Sequence, residues 1–182
     1  MASVVVIYHS GYGHTAKQAE AVTAGAKADL ITIDANGDIS DADWIKLDAA
    51  KAIIFGSPTY MGGASWQFKK FADASSKKWF TQEWKNKIFA GFTNSATMNG
   101  DKFSTIQYFI TLSMQHSGVW IGTALMPANT KAAKHGDVNY VGGFSGALMT
   151  SPSDSSPDEA NKGDLETARL LGVRVAEFVA KA

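Results

Sequence analysis

The sequence predicts an α/β fold, a five-stranded parallel sheet of order 2-1-3-4-5 with helices on both faces. Three observations lead there. Residues 3–8 (SVVVIY) form a short, continuous, β-branched run, as expected of a strand buried on both faces. Similar runs recur at residues 29–34, 51–56, 87–93 and 118–122. The segments between them carry helix-compatible spacing, and such alternation implies right-handed crossovers between parallel strands.

The intervening helices are expected over residues 15–26, 40–47, 65–74 and 101–116, with Gly25 helping to end the first and the second being short. The closing helix has the clearest pattern: Leu165, Ala168, Gly172, Val175 and Val179 recur at steps of three and four and make one buried stripe. Between residues 126 and 157 the pattern fades into Gly, Ser, Pro and Asn, which reads as a long functional or interface loop. Residues 1–182 are therefore taken as one domain, without internal repeats.

Composition narrows the function. Seventeen basic residues balance seventeen acidic ones, so the chain lacks the basic field that nonspecific nucleic-acid binding requires, and a small-molecule partner is expected instead. The absence of cysteine excludes disulfides, thiolate nucleophiles and iron–sulfur ligation. His9, His14, His116 and His135 have no metal-ligand spacing, so no metal is expected. The opening Met1-Ala2-Ser3 lacks a basic stretch and no apolar run reaches membrane length, so no membrane association and a cytoplasmic location are expected.

Directly after the first strand stand Ser10, Gly11, Tyr12, Gly13, His14 and Thr15, with Thr15 opening a helix. Glycines let the backbone turn tightly beside a ligand, and the free N–H groups and positive dipole end of the helix receive an anion. The hydroxyls of Ser10 and Thr15 add donors. The same stretch, read as Gly11-x-Gly13-x-x-Ala16 with Asp34 ending the next strand, also satisfies the dinucleotide fingerprint, and an ordinary strand-to-helix turn would look similar. A Walker motif is excluded by spacing and by the missing Lys-Ser/Thr pair.

A second loop, after the third strand, contains Pro58, Thr59, Tyr60, Met61 and Gly62. In a sheet of this order the crevice lies between the first and third strands, so loops following both meet at one ligand. Pro58 fixes chain direction, Tyr60 offers a ring to stack, and exposed amides can bond the edge of a heterocycle. A structural turn with a core tyrosine is the bland alternative.

With both loops in view, the sequence resembles the flavodoxin-like NAD(P)H:quinone oxidoreductases of the WrbA family, whose first loop reads Ser-x-Tyr-Gly-His and whose second reads Pro-Thr-x-x-Gly. The resemblance covers nearly the whole chain, through Trp79, the strand from Lys87, the helix ending in Gln115-His116 and the closing Glu166-Thr167-Ala168-Arg169 helix. It implies a flavodoxin-like fold that binds FMN non-covalently, NAD(P)H as transient electron donor, a quinone-like acceptor, and a homodimer or homotetramer. It assigns the FMN phosphate to Ser10 through Thr15 and the isoalloxazine to Pro58, Thr59, Tyr60, Met61 and Gly62. The family's third loop is glycine-rich and wraps the flavin. Here it is Asn94, Ser95, Ala96, Thr97, Met98, Asn99 and Gly100, in which Gly100 alone is glycine and Ala96 and Met98 restrict backbone angles that glycine permits.

Neither flavin loop carries Asp or Glu, whereas small electron carriers of this type surround the ring with acidic residues. A carboxylate about 5 Å from an anionic reduced flavin costs roughly 3 kcal/mol at an effective dielectric of 20, so its absence favours two-electron reduction. Trp79 is the candidate to stack a quinone or nicotinamide, with a packing or subunit contact as the alternative. His116 is the candidate to hydrogen-bond the acceptor or donate a proton, with helix capping as the alternative. Its neighbour Ser117 stands where relatives often have glycine. Three functions follow: an FMN enzyme passing electrons from NAD(P)H to quinones, a flavodoxin-type electron carrier, or a flavin-binding regulatory protein.

Overall fold

A computed structural model describes residues 3–181, leaving Met1, Ala2 and Ala182 outside the described residues. In chain order its elements are β1 (Val4–Tyr8), α1 (His14–Ala26), β2 (Asp29–Thr32), α2 (Asp41–Ala49), β3 (Ala52–Tyr60), β4 (Gly63–Ala64), α3 (Trp66–Ala74), α4 (Ser76–Phe80), β5 (Ile88–Ser95), α5 (Lys102–Gln115), β6 (Val119–Trp120), β7 (Ala147–Thr150) and α6 (Lys162–Lys181). A single 3-10 turn, Pro157–Glu159, precedes α6.

The main sheet runs β2-β1-β3-β5-β6, which is the predicted order with the two-residue β4 set aside as a hairpin on β3. All main pairings are parallel. The continuous β-branched run of β1 has the expected cause. Val4, Val6 and Tyr8 pack with Val22, Leu171 and Val175 under α1 and α6, while Val5 and Ile7 join Leu47, Phe71 and Phe109 under α2, α3 and α5.

Four local expectations change. The fifth strand is only two residues long: β6 pairs with Ile88 and Phe89, and β7 takes over the same flank by pairing with residues 92–95 of β5. The stretch expected to be loop from 126 to 157 therefore contains a strand, whose Ala-Leu-Met-Thr composition has little β-branched signal. β3 extends past Gly56 to Tyr60 because β5 runs beside it as far as Pro58↔Asn94. Gly25 does not end α1. The helix ends at Ala26 with Lys27 in the left-handed region (φ 51°), and Gly25 instead admits α6, since a Cβ there would lie 2.0 Å from the Arg169 carbonyl oxygen.

Candidate functional site

The carboxyl ends of β1, β3, β5 and β7 converge on a cleft of about 630 Å³, within the range of small-molecule sites, about 300–1,000 Å³. Its first wall is built around Ser10. The Ser10 hydroxyl oxygen accepts from the Gly13 amide at 3.0 Å and the Ala16 amide at 3.3 Å, which leaves its own proton to be donated elsewhere. Gly13, at φ 90°, is the N-cap of α1 and supplies no side-chain cap. No acidic residue occupies the first turn, so the first-turn amides of His14 and Thr15 lack helical acceptors and carry the positive end of the helix dipole. Tyr12, His14 and Thr15 line the cleft, and Ser10, Gly11 and Gly13 connect β1 to them without lining it themselves.

The second and third loops are stitched to this wall. Gly11 makes room for Tyr60, whose hydroxyl oxygen stands 2.6 Å from where a Gly11 Cβ would be. The Tyr60 ring meets Tyr12 edge-on at 6.2 Å. Burial, the largest influence, raises the Tyr60 hydroxyl above its ordinary pKa, with smaller contributions from Tyr12 in the same direction and from the Gly11 backbone against it. Thr15 Oγ1 donates to Asn94 Oδ1 at 2.5 Å, joining the first loop to the third. Thr93 donates to the Ser57 carbonyl at 2.6 Å, so it must accept from Thr59, which in turn accepts from Thr105; both contacts are 2.8 Å. This directed chain ties β3, β5 and α5 together under the cleft. Thr59, Tyr60, Asn94, Ser95 and Ala96 are brought to its surface.

The family described as NADPH-dependent FMN reductase matches residues 13–132. The chain belongs to this family. The fold places it among flavodoxin-like proteins: it is 50% identical to the flavodoxin, WrbA-like protein of Agrobacterium tumefaciens, with a TM-score of 0.81 and coverage of 100% of this chain and 99% of that one. It is 51% identical to Flavodoxin FldP of Pseudomonas aeruginosa, over 98% of this chain and 97% of that protein. It is 29% identical to an NAD(P)H dehydrogenase (quinone) of Rhizobium rhizogenes, over 100% and 98% of the respective chains.

The donor set of this FMN reductase family member fits FMN. A helix N-terminus with two free first-turn amides and a hydroxyl proton to spare suits a phosphate, and the cleft beside it is lined by aromatic rings, hydroxyls and an amide, with no Asp, Glu, Lys or Arg. Asp34 does not serve the dinucleotide reading. Its Oδ1 accepts from the Asn36 and Asp38 amides at 2.8 and 2.9 Å, closing a local turn, and these bonds, led by that from Asp38, hold its carboxyl below the ordinary range. Among the described residues no cluster of three His, Asp or Glu is placed to hold a metal ion, and no helix is long and apolar enough to cross a membrane.

Several predicted residues do not reach the cleft surface. Pro58 is buried inside β3, opposite Asn94. Met61 and Gly62 form the tip of the β3–β4 hairpin with φ 48° and 80°, the positive pair that a two-residue I′ turn demands, and Met61 is fully exposed. Thr97, Met98, Asn99 and Gly100 are absent from the cleft lining, which takes only Asn94, Ser95 and Ala96 from this loop. In this third loop Gly100 (φ 49°) and the following Asp101 (φ 51°) take the positive angles, so Ala96 and Met98 keep ordinary backbone. Sequence reasoning missed Ser151, Pro152, Ser153 and Ser155, which complete the cleft. Their signal was a Ser/Pro run directly after a strand, hidden because β7 was not recognised. This strap is fastened over α1: the Ser155 carbonyl accepts from His14 Nε2 at 3.1 Å, and Lys17 pairs with Asp158 at 2.9 Å.

Trp79 and His116 stand apart from the cleft of their own chain. They border another recess with α3 and Tyr108. The reason is topological. α5 starts at the carboxyl edge of β5 and travels its 14 residues back, about 21 Å, so its C-cap His116 ends at the amino edge. There the Asn86 amide, two residues before β5, donates to the Ser117 carbonyl at 2.9 Å. His116 is buried against the Trp84 ring at 4.6 Å. Ser75 gives its proton to the Ala72 carbonyl at 2.7 Å, so His116 Nε2 donates to Ser75 Oγ at 2.9 Å and Nδ1 is left without a partner. Burial pushes the imidazole pKa down to about 4. Ser117 itself adopts φ 57°, a conformation that glycine takes without strain.

Proposed function

We propose that this protein is an FMN-dependent oxidoreductase that takes electrons from NAD(P)H and passes them to quinones or similar small acceptors. The observation carrying this reading is a cleft beside a helix N-terminus whose His14 and Thr15 amides lack helical acceptors, with a lining that holds no Asp, Glu, Lys or Arg. In this reading the His14 and Thr15 amides and the Ser10 hydroxyl hold the phosphate, several hydrogen bonds to a charged group contributing roughly 1.5–3 kcal/mol each. The Tyr12 and Tyr60 rings flank the heterocycle, and the Thr59, Asn94, Ser95 and Ala96 edge orients it. Bound FMN would supply the redox chemistry, accepting two electrons from a nicotinamide and delivering them to the acceptor. The lining brings no carboxylate to oppose negative charge there. A homodimer or homotetramer is part of the reading: Trp79 and His116, at the opposite edge of the sheet, take part in acceptor binding only if a second copy presents that edge to the cleft.

A second reading, a flavodoxin-type electron carrier, is supported by the 51% identical relative that bears the flavodoxin name. Steady-state oxidation of NADH and NADPH by FMN-loaded protein, with and without a quinone, separates the two. Quinone-dependent turnover together with a single two-electron wave in a redox titration is expected. No turnover, with two well-separated one-electron potentials, would make the protein a carrier.

A further inference from the structure

The molecule buries a lysine that the proposed chemistry leaves unused. Lys102, in the first turn of α5, is 1% exposed, yet its ammonium lies directly behind the third loop of the cleft. All three of its protons have partners: the Thr97 carbonyl at 2.5 Å, the Met98 carbonyl at 3.0 Å and Thr150 Oγ1 at 3.5 Å. Thr150 connects onward, its amide donating at 2.9 Å to Oδ2 of the buried Asp164, which faces His135 Nε2 at 3.0 Å. Burial pulls the Lys102 pKa down to about 8 while Asp164 opposes the fall. Removing a cation from water is expensive, and an apolar side chain of similar size would fill the space without that cost. The feature that requires this cation is the loop. Two successive carbonyls, at Thr97 and Met98, are drawn inward, and in a trans peptide each carbonyl forces the amide bonded to it to point the opposite way. The loop thus turns the Met98 and Asn99 amides away from the ammonium while Ser95 and Ala96 stand on the cleft surface. Gly100 permits the tight return, since a Cβ there would fall on Ser95 Oγ.

We propose that Lys102 is the positioning residue of the flavin cleft: its buried ammonium shapes the 95–100 loop in place of additional glycines, and sets a fixed positive charge behind the loop that favours the reduced, more negative flavin. The inference rests on the assignment of FMN to this cleft. Lys102→Met removes donors and charge, whereas Lys102→Gln keeps a donor without charge. Three measurements are made on each: the unfolding midpoint of apoprotein, the dissociation constant for FMN by fluorescence quenching, and the two-electron midpoint potential. The Met variant is expected to bind oxidised FMN at least tenfold more weakly. Both variants are expected to show a more negative potential, by about 30 mV for each tenfold selective loss of the reduced form. A purely structural role would lower the unfolding midpoint and leave the potential unchanged, and that result overturns the proposal. So does FMN affinity within about threefold of wild type in a folded Met variant. If Lys102→Met does not fold, the potential of Lys102→Gln decides alone. Failure of the wild-type protein to take up FMN would instead remove the cofactor assignment beneath the proposal.

Discussion

Gly13→Val tests the phosphate end of the cleft. Gly13 sits at φ 90° as the N-cap of α1, and a Cβ built there lies 2.7 Å from Pro157 Cγ. Two costs follow. A left-handed backbone angle disfavours an L side chain by about 1–2 kcal/mol, more for a β-branched one. Relief of the Pro157 contact also requires the strap to lift or the first turn of α1 to tilt, and the strap is held by Lys17–Asp158 at 2.9 Å and by the His14–Ser155 hydrogen bond. Tilting misdirects the His14 and Thr15 amides. Loss of one hydrogen bond to a phosphate corresponds to roughly 1.5–3 kcal/mol, or about 10- to 150-fold in FMN affinity. For a domain of this size, about 1–2 kcal/mol of strain lowers the apoprotein melting temperature by roughly 2–8 °C. Fluorescence-quenching titrations with FMN and with riboflavin, measured beside apoprotein melting, read both effects. Riboflavin has no phosphate, so its affinity should change by less than about threefold. An unchanged FMN dissociation constant, or equal losses for the two flavins, would refute the phosphate assignment.

Two further outcomes are expected. His116 is buried and neutral, with a folded pKa of about 4; the unfolded chain, at about 6.5, takes up the proton first as pH falls, so this contribution to stability is intact above about 6.5 and declines toward pH 4 by about 1.4 kcal/mol per unit. Urea unfolding at pH 7 and pH 5 should show this loss in wild type and a smaller one in His116→Gln, and equal losses would rule out the buried neutral imidazole. Gly172→Val should destabilise by about 1–3 kcal/mol or more, because a Cβ at Gly172 would lie 2.1 Å from the Val22 carbonyl oxygen of α1; denaturant midpoints matching wild type would show that α1 and α6 are not locked as described.

The strand at residues 4–8, the α/β alternation and the convergence of the loops after β1 and β3 were legible because each rests on local signals. A β-branched run reports burial on both faces, and in a parallel sheet of this order the first and third strands are neighbours wherever their loops lead. The edge position of His116 was legible too, since a crossover helix that starts at the carboxyl edge of one strand must end at the amino edge of the next. Family resemblance pointed to His116 and Trp79 without asking where in one chain they would stand. What only the tertiary structure decided lies between residues far apart in sequence. The split of the fifth strand position into β6 and β7, the serine strap fastened to α1 across 141 residues by His14 and Ser155, and the burial of Lys102 beneath the third loop leave no periodic mark. Periodicity reports which face of an element is buried; it does not report which distant carbonyl a buried ammonium will find. The sequence by itself therefore determined the sheet and the end of it that carries the cleft, while long-range packing decided which side chains reach the ligand, because those contacts exist only once separate elements are held together.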